Sequence, residues 1–267
     1  MADGRVDQHG DLKGGEARRA QIVDLIRQRG FVTIEILARQ FKVTLQTIRR
    51  DLGQLSEEGR VSRFHGGAGL PSSVENIDYS TRKVLNLNEK KRIARLVAQH
   101  IPDHSSLFIN IGTTTEAVAR ELLEHEDLRF ITNNLNVALL VAAKPEFKVV
   151  VAGGTVRSRD GGIVGQSANV MIAQFRVDFA VIGLSGIDAD GTLLDYDYDE
   201  VRAAQAIIHN ARQVFLVADH TKFGRRPMVR AGSISEVSAL FTDQPPPAQI
   251  SELLKAHDKK IYVADEE

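Results

Sequence analysis

Two sets of residues in this chain have the types and spacing to handle phosphate groups. The first is Gly112-Thr113-Thr114-Thr115, between the apolar run SLFINI (106–111) and the helical pattern EAVARELLEH (116–125). A strand that runs through glycine and hydroxyls into a helix presents unpaired backbone N–H groups, hydroxyl donors and the positive end of a helix dipole, all suited to an anion. Equally, Thr113 or Thr114 does no more than cap that helix. Thr132-Asn133-Asn134 closes the next apolar run, and Gly153-Gly154 with Arg157 closes the one after. Asp219 and Lys222 follow QVFLVA (213–218), where Lys222 either neutralises a ligand phosphate or lies in solvent. Turns that follow successive parallel strands collect at one edge of a sheet, where open α/β folds bind ligands. The candidate ligand set is therefore Gly112, Thr113, Thr114, Thr115, Asn133, Asn134, Gly153, Gly154, Arg157, Asp219 and Lys222.

The second set lies in VTLQTIRRDL (43–52). Leu45, Ile48, Leu52 and Leu55 recur at helical spacing, which predicts one apolar stripe with Gln46, Thr47, Arg49 and Arg50 off it. That outer face is either a solvated charged surface or a helix that enters a DNA groove. Thr33 and Thr44 are placed to cap helices over 34–41 and 45–58. RVSRFHGGAGL (60–70) fits two short strands with a turn. The candidate DNA-contacting residues are Thr33, Thr44, Gln46, Thr47, Arg49, Arg50, Arg63, His65, Gly66 and Gly67. His65 either meets phosphate or shapes the turn. Asp51, which would repel a DNA backbone, is expected to pair with an arginine.

The elements that must position these residues fall into two blocks. Residues 17–68 carry ten Lys/Arg against five Asp/Glu, whereas 69–267 carry twenty-two against twenty-six, although the whole chain has a formal net charge of −1. A small basic module joined to a larger, mildly acidic one fits nucleic-acid binding coupled to another task. The polar residues 1–16 read as a disordered arm, 17–68 as a winged helix–turn–helix, 69–87 as a linker and 88–267 as an α/β domain. In that last block LRFIT, FKVVVAGG, VDFAVIGL, QVFLVAD, SALFTD and KIYV join SLFINI as buried strands. Helical patterns between them imply a mainly parallel sheet covered on both faces. The absence of cysteine excludes disulfide and thiol chemistry. No apolar run approaches membrane-spanning length, so a cytoplasmic protein is expected. His100 and His104 have zinc-like spacing, but Pro102 between them breaks the helix they would need, and no metal site is assigned. The run 195–200 reads as a helix start rather than a metal site.

Arg18, Ile22 and Ile26, the stretch Thr44-Leu-Gln-Thr-Ile-Arg-Arg-Asp-Leu52 and the turn Arg63-Phe-His-Gly-Gly-Ala68 resemble the DeoR family of bacterial transcription regulators. The resemblance extends through INIGTT (109–114), ITNNLNV (131–137), RSRDGGI (157–163), GID (186–188), ADHTKFGR (218–225) and FTDQPPP (241–247), thus covering nearly everything after residue 17. It implies an N-terminal winged helix–turn–helix and a C-terminal sensor domain related in fold to sugar-phosphate isomerases and CoA transferases. It further implies repression of glycerol 3-phosphate metabolism genes at a double-stranded DNA operator. A phosphorylated effector, glycerol 3-phosphate, would be the inducer, the assembly a homo-oligomer (dimer or tetramer), and no cofactor or membrane would be involved. Two alternatives stand beside it. One is a sugar-phosphate-responsive regulator of another carbohydrate operon. The other is an isomerase-like enzyme in which Asp188, Asp219 and Glu200 shuttle protons.

Overall fold

A computed structural model describes the backbone of residues 8–29, 31–58, 60–64, 66–69, 76 and 78–265. The chain divides into two compact units, residues 1–72 and 73–267.

In the first unit, helices Gln8–Arg29, Ile34–Phe41 and Leu45–Glu57 are followed by strands Ser62–Phe64 and Gly67–Gly69. The apolar residues of the three helices interlock: Ile22, Ile26, Leu37, Ile48 and Leu55 are fully buried and Leu52 nearly so. Each contributes roughly 1.5–3 kcal/mol by leaving water. A third strand, Phe31–Thr33, pairs antiparallel with Gly67–Gly69, so the wing has three strands in the order 31–33, 67–69, 62–64. That strand was not expected, because three residues are too few to show alternation. The helical turn at Lys42 adopts a left-handed conformation (φ 52°), and its N–H bonds back to the end of the preceding helix. The first helix begins at Gln8, within the stretch expected to be disordered; it extends a packed helix through residues that carry no apolar stripe of their own.

The second unit is built on a seven-stranded sheet in which every pair is parallel. The strand order is 260–263, 239–242, 211–217, 177–183, 106–109, 129–132, 148–151. All seven coincide with the apolar runs expected to be strands. Side chains alternate across the sheet: Leu107, Ile109, Phe130, Phe179, Val181, Phe215 and Phe241 face helices Leu87–Ala98, Thr113–Glu121 and Leu135–Val141. Phe108, Ile131, Ala180, Ile182, Leu216 and Leu240 face helices Gln166–Ile172, Tyr198–His209 and Ala248–Ala256. This period of two on a sheet buried on both faces is what makes the strands read as continuous apolar runs.

Two small additions escaped sequence analysis, namely a hairpin (155–156 with 163–164) and an antiparallel sheet of 186–187, 192–195 and 229–233. The stretch read as a linker also contains a helix, Tyr79–Val84, capped by Asp78 and belonging to the second unit. Among the described residues no helix is long and apolar enough to cross a membrane.

Candidate functional site

In the first unit two of the three threonines expected to contact DNA, Thr33 and Thr44, act as caps. The Thr33 hydroxyl accepts from the Ile36 N–H (3.2 Å) and that of Thr44 from the Thr47 N–H (3.1 Å), with Thr44 and Thr47 hydroxyls 2.9 Å apart. Such caps stabilise a helix start by roughly 0.5–2 kcal/mol. They also fix where the helix Leu45–Glu57 begins and which side chains its first turn presents. Gln46, Arg49 and Arg50 are exposed, as is Arg63 on the wing. The Arg63 guanidinium lies over this helix, since a Cβ added to Gly53 would meet its Nη1 at 3.7 Å. Gly53 is one turn beyond Arg49, so wing and helix present arginines side by side.

Asp51 behaves as expected: it is 4% exposed and accepts from Arg18 Nε at 2.6 Å, with Arg19 at 3.6 Å. It ties the first helix to the third. Gly67 does not reach an outer surface. It is buried, and a Cβ there would come within 2.5 Å of the Val32 carbonyl oxygen, so it is a close-packing residue of the wing sheet. Gly66 takes a positive φ of 89° and accepts from the Ile34 N–H. His65 lies outside the described residues.

In the second unit, chain order along the sheet reverses between strands Ser106–Ile109 and Val177–Gly183. A crevice at the carboxyl ends of strands opens at such a switch point. Asn110 spans it, donating to the Gly183 carbonyl (3.0 Å) and accepting from the Gly183 N–H (2.9 Å). Thr115 is fully buried and donates to the Asn110 and Gly112 carbonyls, so it shapes the turn and is not open to a ligand. Thr113 and Thr114 make no side-chain hydrogen bond among the described residues, and Thr113–Glu121 starts here without a side-chain cap. Their hydroxyls, with the first-turn N–H groups, are the donors this turn offers.

Asn134 is committed to capping Leu135–Val141 through the N–H groups of Asn136 and Val137, while its amide donates to Glu116 (3.2 Å). Asn133 donates to the Ile163 carbonyl, and its Oδ1 is buried without a partner. Glu116 also receives the Tyr79 hydroxyl at 2.7 Å, which fastens the helix Tyr79–Val84 above the strand ends. Burial and that carboxylate push the Tyr79 phenol upward.

Lys222 is gathered here with cations that sequence analysis missed. Its ammonium makes no hydrogen bond or ion pair among the described residues. Burial of the ammonium, then Arg225, then Arg82 and Lys90, push it down to about 7 against the pull of Asp219, although the residue as a whole is partly exposed. Lys90, 4% exposed, donates to the Arg82 and Leu85 carbonyls and is pushed down to about 8, mainly by burial. Burial alone would raise the Asp219 carboxyl, but Lys222, the Thr221 hydroxyl and Lys90 hold it below its ordinary value. Asn86 donates to Asp219 at 3.1 Å. Lys222 thus lies within electrostatic range of Arg82, Lys90 and Arg225, with the Asp219 carboxylate held low beside it.

Behind Lys222 stands a second charge group. Asp195 is raised by burial, and Glu200 is raised to about 7 by burial and by Asp195, against Arg157. Arg157, expected to hold ligand, is instead satisfied by Asp160 (2.6 Å), Glu200 (2.7 Å) and Asp197 (2.8 Å). Four of its five N–H donors are taken by these three carboxylates, which neutralise its charge and hold it away from a phosphate role. Asp197 caps Tyr198–His209, the helix start expected there. Gly153 and Gly154 follow the outermost strand, away from the switch point. The Gly153 N–H meets the Met171 sulfur, and a Cβ on Gly154 would lie 2.6 Å from the Val164 carbonyl, so both serve local packing. Asp188 pairs with Arg226 at 3.0 Å. The signal for Lys90 was in the sequence: it falls three residues before Ile93 and seven before Val97, on an apolar stripe.

A winged helix–turn–helix with exposed arginines, joined in one chain to a parallel α/β unit with a cation-rich switch point, defines a two-unit DNA-binding regulator. Residues 18–74 match the DeoR-like helix-turn-helix domain and residues 85–244 the DeoR C terminal sensor domain, so the chain belongs to the DeoR family. It is 53% identical over 240 residues to the glycerol-3-phosphate regulon repressor of Escherichia coli (strain K12), covering 90% of this chain and 95% of that protein. It is 49% identical over 244 residues (91% and 95%) to the Haemophilus influenzae protein of the same name. It is 44% identical over 253 residues (95% and 97%) to the HTH-type transcriptional repressor CsqR of Escherichia coli (strain K12). Among solved structures, ribose 5-phosphate isomerase A from Methanocaldococcus jannaschii overlaps 52% of this chain and 55% of that one, at 15% identity and a TM-score of 0.39.

Proposed function

We propose that this protein is a cytoplasmic transcriptional repressor of glycerol 3-phosphate metabolism genes. It holds a double-stranded operator with Gln46, Arg49, Arg50 and Arg63, and glycerol 3-phosphate releases it. The observation that carries the effector side is the gathering of Arg82, buried Lys90, Lys222 and Arg225 within electrostatic range of one another at the strand ends, beside Asp219. A dianionic phosphate relieves the mutual repulsion of those cations, and Asp219 is then placed to accept from a ligand hydroxyl. The Thr113 and Thr114 hydroxyls and the first-turn N–H groups complete the donor set. This revises the expected ligand set: Arg157, Gly153, Gly154 and Thr115 are structural, and Arg82, Lys90 and Arg225 join it.

The repressors at 53% and 49% identity support the operator assignment, and their names describe regulators rather than enzymes. A second reading, an effector from another sugar-phosphate class, is favoured by the 44% identity to a repressor with a different name. One helix–turn–helix reads too few base pairs for a unique address, so the protein acts as a homo-oligomer of paired heads on inverted repeats. The test is titration of the full chain onto DNA from its own neighbouring promoters, with and without glycerol 3-phosphate, beside pentose phosphates. Tight binding released by glycerol 3-phosphate alone is expected. Release by a pentose phosphate alone would select the second reading, and no binding to any promoter would overturn both.

A further inference from the structure

Leu45 has the spacing of a core residue but is 40% exposed. At about 100° per residue, it lies on the side of its helix that buries Ile48, Leu52 and Leu55. Those three are sealed in the first unit's core, whereas Leu45 contributes to that core neither as a buried nor as a partly buried member. The reason is its place in the chain. It is the first residue of Leu45–Glu57, held there by the Thr44 cap, and the helix buries no side chain before Ile48. Its exposed neighbours are Gln46, Arg49 and Arg50.

Single exposed leucines on a protein surface need no explanation in general. Here the exposed apolar group stands in the opening turn of the helix assigned to the major groove, where N-terminal residues meet base edges. One feature of the major groove is apolar, the C5 methyl of thymine, and apolar side chains read it by contact.

We infer that Leu45 is a base-reading residue that packs against a thymine methyl in each half-site, setting sequence preference beside the arginines. This rests on the DNA-binding reading above. On docking, the side chain leaves water by covering the methyl, which distinguishes thymine from cytosine or uracil without any hydrogen bond.

The test uses the full-length protein and the tightest duplex recovered by selection from random-sequence DNA. Each thymine is replaced in turn by uracil, which removes only the methyl, and binding is measured with wild type and Leu45→Ala. One thymine per half-site is expected to matter. Its conversion to uracil weakens wild type about fourfold, which corresponds to about 0.8 kcal/mol for one buried methyl-sized group. In Leu45→Ala the same conversion has no further effect, and the exposed position leaves thermal unfolding unchanged. If wild type binds tightly but no uracil weakens it, or if the sensitive thymine stays equally sensitive in Leu45→Ala, the inference fails while the DNA-binding reading stands. If wild type recovers no duplex from the selection, that reading fails and this inference with it.

Discussion

If Lys222 neutralises a ligand phosphate, affinity for glycerol 3-phosphate falls as pH rises above neutrality. In the free protein the Lys222 ammonium is pushed down to about 7 from an ordinary 10.5, chiefly by burial and then by Arg225. A bound dianion favours the protonated form and restores the value toward the ordinary one. Above pH 7 the complex then holds more protons than the free protein, so affinity decreases with pH by linkage. Half the free molecules carry the proton at pH 7 and about one in a hundred at pH 9. The loss is therefore about fiftyfold, or about 2.3 kcal/mol. The ligand's own second ionisation, near 6, is about nine-tenths complete at pH 7, so across that range it offsets the loss by only about a tenth. Lys90, at about 8, titrates in the same window and steepens the fall. Isothermal calorimetry at pH 7, 8 and 9 measures this, with proton uptake read from buffers of different ionisation enthalpy. Lys222→Met should bind much more weakly than wild type at pH 7 and nearly as well at pH 9. A flat wild-type profile, or a Lys222→Met profile as steep as wild type, would show that Lys222 does not neutralise the phosphate.

Arg49→Ala and Arg50→Ala should each abolish or greatly weaken operator binding without unfolding the protein, because both side chains are exposed. A lost base contact would cost about 1–3 kcal/mol at one position, a lost phosphate contact would reduce the salt slope by about one, and normal binding by both variants in a salt series would remove the recognition-helix assignment. Asp51→Ala should destabilise the first unit by about 2 kcal/mol, below the 3–5 of a fully buried pair because Arg18 and Arg19 are partly exposed and can rehydrate. Amide hydrogen exchange over residues 18–68 reads this, and a change under about 0.5 kcal/mol would contradict it. Light scattering at micromolar concentration should give a dimer or tetramer, and a monomer would count against paired recognition.

The parallel sheet was legible because its strands are buried on both faces, so each announces itself as an apolar run between helical patterns. The caps were legible too: Thr33, Thr44 and Asp197 sit where a helix start needs a side-chain acceptor. What periodicity could not supply was the end of the bundle, which leaves Leu45 outside while Ile48 is sealed. The candidate site was legible as turns rather than as charges. Gly112–Thr114 and Lys222 were singled out because they follow strands, but Arg82 sits on a helix too short to show a pattern, in a stretch whose polar composition suggested a linker. Arg157 misled in the opposite direction. An arginine after a strand looks available until Asp160, three residues on, is joined by Asp197 and Glu200 from a helix start some forty residues further along the chain.

In the proposed switch, a phosphate held at the Gly112–Thr115 turn controls operator binding. Thr114 is 6% exposed at that turn, and Thr114→Asp puts a negative charge where the phosphate would sit. Anisotropy of a labelled operator, titrated with glycerol 3-phosphate in the presence of wild type or Thr114→Asp, tests this switch most directly. Both proteins are expected to bind the operator, with glycerol 3-phosphate releasing wild type and leaving Thr114→Asp bound at the same concentrations. Release of Thr114→Asp along the wild-type curve would contradict it and put the effector site elsewhere.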